Sequence, residues 1–141
     1  MTTIAWDGKT LAGDKQATNG GTPWQTTKVF KIETNGKKYL VGFSGNLADG
    51  QRFVKFVKEG FKGKPKYDCL DAISIDEKGS ITSYSENHNP DVIEPKFYAI
   101  GSGRDFALGV LAYGADAIDA VRIATELDIN TGLGIDAVSF S

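Results

Sequence analysis

Thr2 and Thr3 directly follow Met1, and the chain runs from them into Ile4-Ala5-Trp6-Asp7. A small residue after the initiator methionine favours its removal. Once Met1 is gone, Thr2 carries a hydroxyl and a free α-amine on one residue, a nucleophile and its general base together. With Met1 still attached the same nitrogen is an amide and accepts no proton. The other reactive side chains offer weaker chemistry. His88 is the sole histidine and has no Cys or His at ligand spacing, which argues against both a metal site and a Ser-His-Asp arrangement. Cys69 is the sole cysteine and, at the start of a strand, reads as buried filler. Gly101-Ser102-Gly103 before a helix faintly matches a dinucleotide fingerprint, but Phe106 stands where its third glycine belongs.

The elements that must hold Thr2 are legible in outline. Asp7-Gly8 marks a hairpin turn between Thr2–Trp6 and Thr10–Ala17. A Gly/Thr/Pro-rich stretch, Thr18 to Gln25, reads as a loop. Lys28–Glu33 alternates apolar and polar, turns at Asn35-Gly36 and returns through Lys37–Phe43. The period then changes. Leu47, Phe53, Val54, Val57 and Phe61 predict an amphipathic helix over Asn46–Phe61, with Asn46 as its N-cap. A further hairpin is predicted over Cys69–Asp76 and Ser80–Ser85, with Asn87 to Pro95 a loop and Phe97–Ile100 a short strand. Two helices follow, Arg104–Tyr113 with Phe106, Val110 and Tyr113 on one side, and Asp116–Leu127 with Ile118, Val121, Ala124 and Leu127. Ile135–Phe140 closes the chain as a strand. Runs of strands and runs of helices give an α+β class.

Composition narrows the function. The chain has 141 residues, expected as a single domain, with 40% hydrophobic and 24% charged residues and a net charge of -2. Charges of both signs are mixed, and the densest basic stretch, Lys55 to Lys66, also holds Glu59. Nucleic acid is therefore not expected as a partner. One cysteine excludes an internal disulfide. With no apolar stretch of signal-peptide or membrane-spanning length, the expected location is cytoplasmic, with no membrane partner.

Six short segments in order give a more specific reading. They are Met1-Thr2-Thr3-Ile4, Ala12-Gly13-Asp14, Thr27-Lys28-Val29, Val41-Gly42-Phe43-Ser44-Gly45-Asn46-Leu47-Ala48-Asp49, Tyr98-Ala99-Ile100-Gly101-Ser102-Gly103 and Asp128-Ile129-Asn130-Thr131-Gly132. Together they resemble the N-terminal-nucleophile hydrolases of the proteasome β-subunit and HslV peptidase type. The resemblance implies a four-layer αββα sandwich over residues 1–141. It implies Thr2 as nucleophile of a threonine-type amide hydrolase, expected to be a peptidase, with no cofactor and no catalytic metal. It also admits a structural monovalent cation near Asp128.

The same resemblance gives roles to six more residues. Lys28 keeps the field at Thr2 positive and so favours a neutral amine. Asp14 holds Lys28. The backbone N–H of Gly45 faces the developing oxyanion. Ser102, Asp128 and Thr131 share protons with the amine, Thr131 standing where the family has serine. Four of them have a plainer alternative: a cross-strand surface pair for Asp14 and Lys28, a tight-turn glycine for Gly45, an N-cap for Ser102. Asp128 at a helix C-terminus is unfavourable for the macrodipole, which is an independent pointer to function.

Two departures from the family stand out. Between Phe61 and Cys69 a Gly/Lys/Pro loop replaces a second long helix, removing surface used for assembly and for an ATPase unfoldase. The segment after Gly132 is only nine residues. Copies of the chain are expected to close into a ring, covering Phe53, Val57 and Phe61. Two rival readings are a non-catalytic structural subunit of the same fold and a hydrolase of small amides.

Overall fold

The computed structural model describes residues 2–19, 21–87 and 90–141, so Met1 and His88 lie outside the described residues. Four elements open the chain: β1 (Thr3–Trp6), β2 (Thr10–Asp14), β3 (Gln16–Asn19) and β4 (Thr22–Gln25). Next come β5 (Val29–Thr34), β6 (Lys37–Gly45), α1 (Leu47–Lys58), β7 (Leu70–Asp76), β8 (Ile81–Ser85) and β9 (Asp91–Ile93). The chain ends with β10 (Tyr98–Gly101), α2 (Arg104–Tyr113), α3 (Ala117–Leu127) and β11 (Ile135–Ser139). One sheet has the order β10-β1-β2-β11, the other β5-β6-β7-β8-β9, and β3 pairs with β4 as a separate ribbon. All the pairings among the described residues are antiparallel.

Strand alternation builds four layers from these two sheets. Ile4, Trp6, Leu11 and Ile100 point between the sheets and meet Val29, Leu40, Ile73, Ile75 and Ile81 from the other side. The intervening residues Ala5, Ala12 and Ala99 face outward, where Ala107, Leu111, Ala117, Ala120 and Val121 of α2 and α3 pack on them. On the far face of the second sheet, Val41, Phe43 and Ala72 meet Phe53, Val54, Phe56 and Val57 of α1. The result is the αββα sandwich, with α1 the one helix of its outer layer among the described residues. The sheets approach closely near Thr2. A Cβ on Gly13 would lie 2.7 Å from Ile4 Cδ1, and one on Gly42 would lie 2.8 Å from Ile4 Cγ2.

Several local expectations are corrected. The stretch Thr18 to Gln25 is not a loop but supplies the end of β3 and all of β4. The predicted strand Thr10–Ala17 breaks at Lys15, whose N–H bonds the Gly132 carbonyl while its own carbonyl accepts from Thr26. The loop after Asn87 contains β9. Asn46 does cap α1, accepting the N–H of Ala48 at 2.9 Å, but the helix stops at Lys58. Phe61 then adopts φ 61 and folds its ring back onto Tyr39 and Phe56. Phe53 and Val57 are consequently 0% exposed and Phe61 is half-buried, so the expectation that a neighbouring copy covers them is overturned. No helix occupies residues 59–69.

On α2 the inward face is Ala107 and Leu111, while Phe106 and Tyr113 are exposed. The small alanines of the sheet and of the helix let α2 lie close on the sheet. On α3, Val121 and Ala124 are buried as expected, but Ile118 and Leu127 are exposed. No helix among the described residues is long and apolar enough to cross a membrane.

Candidate active site

Thr2 lies just before β1 and is only 2% exposed. The first sheet delivers Asp14 at the end of β2, and the second delivers Lys28 just before β5. The Lys28 ammonium donates to Thr2 Oγ1 at 2.8 Å and to Asp14 Oδ1 at 3.0 Å. Asp14 Oδ1 also accepts the Thr3 N–H at 3.1 Å, and Oδ2 accepts those of Gly132 at 3.0 Å and Gln16 at 3.3 Å. A fully buried carboxylate is thus matched by one cation and three peptide N–H groups, as burial of a charge requires. The side chains are 3% and 0% exposed, which excludes the surface-pair alternative for Lys28 and Asp14. Burial pulls the Lys28 pKa below its ordinary 10.5, while the charge and hydrogen bond of Asp14 pull back toward the protonated form.

A second network meets Thr2 from its nitrogen side. Thr2 N–H donates to Ser102 Oγ at 3.2 Å, and Ser102 donates onward to Asp128 Oδ2 at 2.6 Å. Thr131 donates to the same oxygen at 2.7 Å, and Thr131 Oγ1 lies 2.8 Å from Thr3 Oγ1. Asn130 N–H fills Asp128 Oδ1 at 3.1 Å. Desolvation pushes the Asp128 carboxyl up, but the Ser102 and Thr131 hydroxyls and the Asn130 N–H outweigh it and hold it below the ordinary 3.8. Asp128 closes α3 as its C-cap, where the dipole alone disfavours a carboxylate. These donors are its compensation.

Ser102 is not a helix cap. The cap of α2 is Gly103, which makes no side-chain hydrogen bond. Gly101 has φ +99, and a Cβ there would overlap the Thr2 carbonyl oxygen, so only glycine lets the Ser102 turn come this near.

Beside Thr2 opens a cavity of about 550 Å³. Thr2, Lys28 and Gly45 line it together with Phe43, Asn46, Leu47 and Cys69, and Gln16, Ala17, Thr18, Trp24 and Thr26 come from the β3–β4 ribbon and its flank. The residues singled out in the sequence as site residues thus gather at one end of the sandwich. Gly45, at φ +104, borders the cavity and makes the tight strand-to-helix turn at once. Cys69 corrects an expectation, since it is exposed rather than buried. Three contributors escaped sequence reasoning: Thr3, Trp24 and the ribbon that carries Trp24. A lone large aromatic inside a Gly/Thr/Pro-rich stretch was the available signal for the last two.

No protein-family model matches the chain. It is similar to proteasome subunit beta 1 of Thermococcus gammatolerans, 27% identical over 189 residues that take in 98% of this chain and 86% of the relative. That alignment is longer than the 141-residue chain, so that relative carries segments absent here. Among solved structures, a Gly-1 mutant of Anbu from Hyphomicrobium sp. strain MC1 matches with TM-score 0.78 over 100% of this chain and 82% of that one, at 14% identity. HslV from Trypanosoma brucei matches with TM-score 0.71 over 97% of each chain, at 20% identity. A helical assembly of the Anbu complex from Pseudomonas aeruginosa matches with TM-score 0.70 over 99% of this chain and 81% of that one, at 11% identity.

Proposed function

We propose that this chain, an N-terminal-nucleophile hydrolase of the proteasome β-subunit and HslV type by its fold, cleaves peptide bonds with Thr2 once Met1 has been removed. The observation that carries the reading is the Lys28 ammonium shared between Thr2 Oγ1 and the buried Asp14 carboxylate. A cation there favours the developing alkoxide and keeps the adjacent amine neutral.

The reaction uses side chains, backbone and water. The Thr2 amine takes the hydroxyl proton, and Oγ1 attacks the substrate carbonyl. The Gly45 N–H receives the oxyanion. Collapse breaks the C–N bond, passes the proton to the leaving amine and leaves an ester on Thr2. Water, deprotonated by the same amine, then hydrolyses the ester and returns the free hydroxyl. Ser102, tied to Asp128, orients the amine throughout.

Self-association belongs to the same reading. Its surface is the outer face of α2 and α3, where Phe106, Tyr113, Ile118 and Leu127 are exposed, rather than α1. A closed homo-oligomer hides the cavities from bulk protein. Light scattering on the trimmed protein checks this, and a concentration-independent monomer mass refutes it.

The test of the chemistry begins with intact mass to establish loss of Met1. A threonine-directed electrophile should then label Thr2, mapped by peptide sequencing. Thr2→Ala should abolish both labelling and hydrolysis of a fluorogenic peptide amide while leaving the fold intact. Undiminished turnover in Thr2→Ala refutes the mechanism.

A further inference from the structure

Asp49 takes no part in the chemistry above, yet it is a carboxylate only 5% exposed in the first turn of α1. Its Oδ2 accepts the N–H groups of Asp68 and Cys69, both at 2.9 Å. Its Oδ1 pairs with the Arg52 guanidinium at 3.2 Å. Arg52 in turn donates to the Lys66 carbonyl at 3.1 Å and lies 5.1 Å from the centre of the Tyr67 ring. Asp49 and the Arg52 that it pairs with therefore hold residues 66–69, the end of a segment that has no helix or strand of its own.

The capture continues to the cavity. The Cys69 carbonyl accepts the Asn46 N–H at 2.9 Å. A Cβ on Gly45 would lie 2.5 Å from that same carbonyl oxygen, so Gly45 sits directly against it. Gly45, Asn46 and Cys69 all line the cavity beside Thr2. An N–H that receives an oxyanion is effective when its dipole is fixed before charge develops. Here the turn bearing that N–H rests on Cys69, and Cys69 rests on Asp49.

We infer that Asp49 is a positioning residue: its carboxylate fixes the peptide of Cys69, and through it the Gly45–Asn46 turn that presents the oxyanion-binding N–H. The inference rests on the reading of Thr2 as nucleophile. The first turn of α1, where Asp49 sits, is also the place on a helix that favours a negative charge.

The experiment compares the unaltered protein with Asp49→Ala and Asp49→Asn, all trimmed of Met1. Active sites are counted by labelling of Thr2, and kcat and KM for a fluorogenic peptide amide are taken per labelled site. Losing a whole oxyanion donor costs roughly 10²–10³ in kcat. A displaced donor should cost a part of this, so Asp49→Ala is expected to lower kcat about tenfold or more, in line with a contact made mainly in the transition state, with KM changed less than about threefold.

Asp49→Asn keeps an oxygen for the two N–H groups and should fall between. The pH profile should not move, because Lys28, Asp14 and Ser102 are untouched. A structural role alone would reduce the labelled fraction and leave kcat per site unchanged, which overturns the inference. If Asp49→Ala does not fold, Asp49→Asn decides: a several-fold lower kcat supports the inference and an unchanged one overturns it. A shifted pH profile also overturns it, by placing Asp49 in the acid–base network. Failure of the unaltered protein to label at all removes the nucleophile reading itself, and this inference with it.

Discussion

Thr2 is held between two hydrogen-bond networks of opposite character. On its hydroxyl side, Lys28 and Asp14 form a dry ion pair, closed off by peptide N–H groups from Thr3, Gln16 and Gly132. On its nitrogen side, Ser102, Asp128 and Thr131 form a chain of hydroxyls around a half-buried carboxylate. Charge without water can set the electrostatics of a nucleophile but exchanges protons poorly. Hydroxyls near solvent can exchange protons but exert a weaker field. On the proposed mechanism, the division puts field on the atom that attacks and proton traffic on the atom that accepts.

The sharpest way to break this comparison is to remove the dry cation. Lys28→Ala should lose ~10²-fold or more in kcat, the scale of a lost acid–base contribution. It should also strand Asp14, and breaking a buried pair from one side costs about 3–5 kcal/mol. Urea unfolding and steady-state kinetics measure the two effects together. A near-unaltered rate would show that the field on Oγ1 has another source.

A smaller effect is expected from Asp128→Asn. Ser102 then loses a charged acceptor but keeps a neutral one, so kcat should fall by ~10-fold, below the Lys28 effect. Its partial exposure makes the stability change small. Equal losses in the two variants would erase the distinction between the networks.

The smallest and finest test is the pH dependence of stability. Asp128 has a folded pKa below the ordinary 3.8. The unfolded chain therefore binds more protons there, and the contribution of Asp128 is present above that value and fades as pH falls through its folded pKa. Lys28 also has a folded pKa below its ordinary 10.5, so its effect is an increase in stability as pH rises through the alkaline window toward that value. In denaturation series across pH, Asp128→Asn should flatten the acid limb alone, and Lys28→Met should remove the alkaline rise. If Asp128→Asn altered the alkaline limb as well, the networks would be one coupled unit.

Much of the fold and of the site is legible in the residues themselves. The alternation over Lys28–Glu33 and the Asn46 cap are local facts, and they predict the strand and the helix that form. The resemblance carried by the six segments implies the αββα layering, and with it the meeting of Thr2, Asp14, Lys28, Gly45, Ser102, Asp128 and Thr131. Period alone misjudges the outer face of the molecule. Phe106 and Tyr113 have helical spacing, yet α2 buries Ala107 and Leu111 and packs Leu108 and Val110 partly beside them, and how near two layers approach is not written in either one.

The sequence by itself determined most of the element types, the placement of the glycines that bend at Gly45 and Gly101, and the identity of the groups that can do chemistry, because each follows from local backbone and side-chain preference. The tertiary structure alone decided which of those groups are dry. It made Lys28 and Asp14 a buried pair instead of a surface one, and gave Ser102 to an acceptor 26 residues away instead of its own helix. It also turned Cys69 outward and raised the Thr18–Gln25 stretch into a cavity wall. Burial and long-range partners depend on what the rest of the chain brings near, and no spacing along the sequence encodes that.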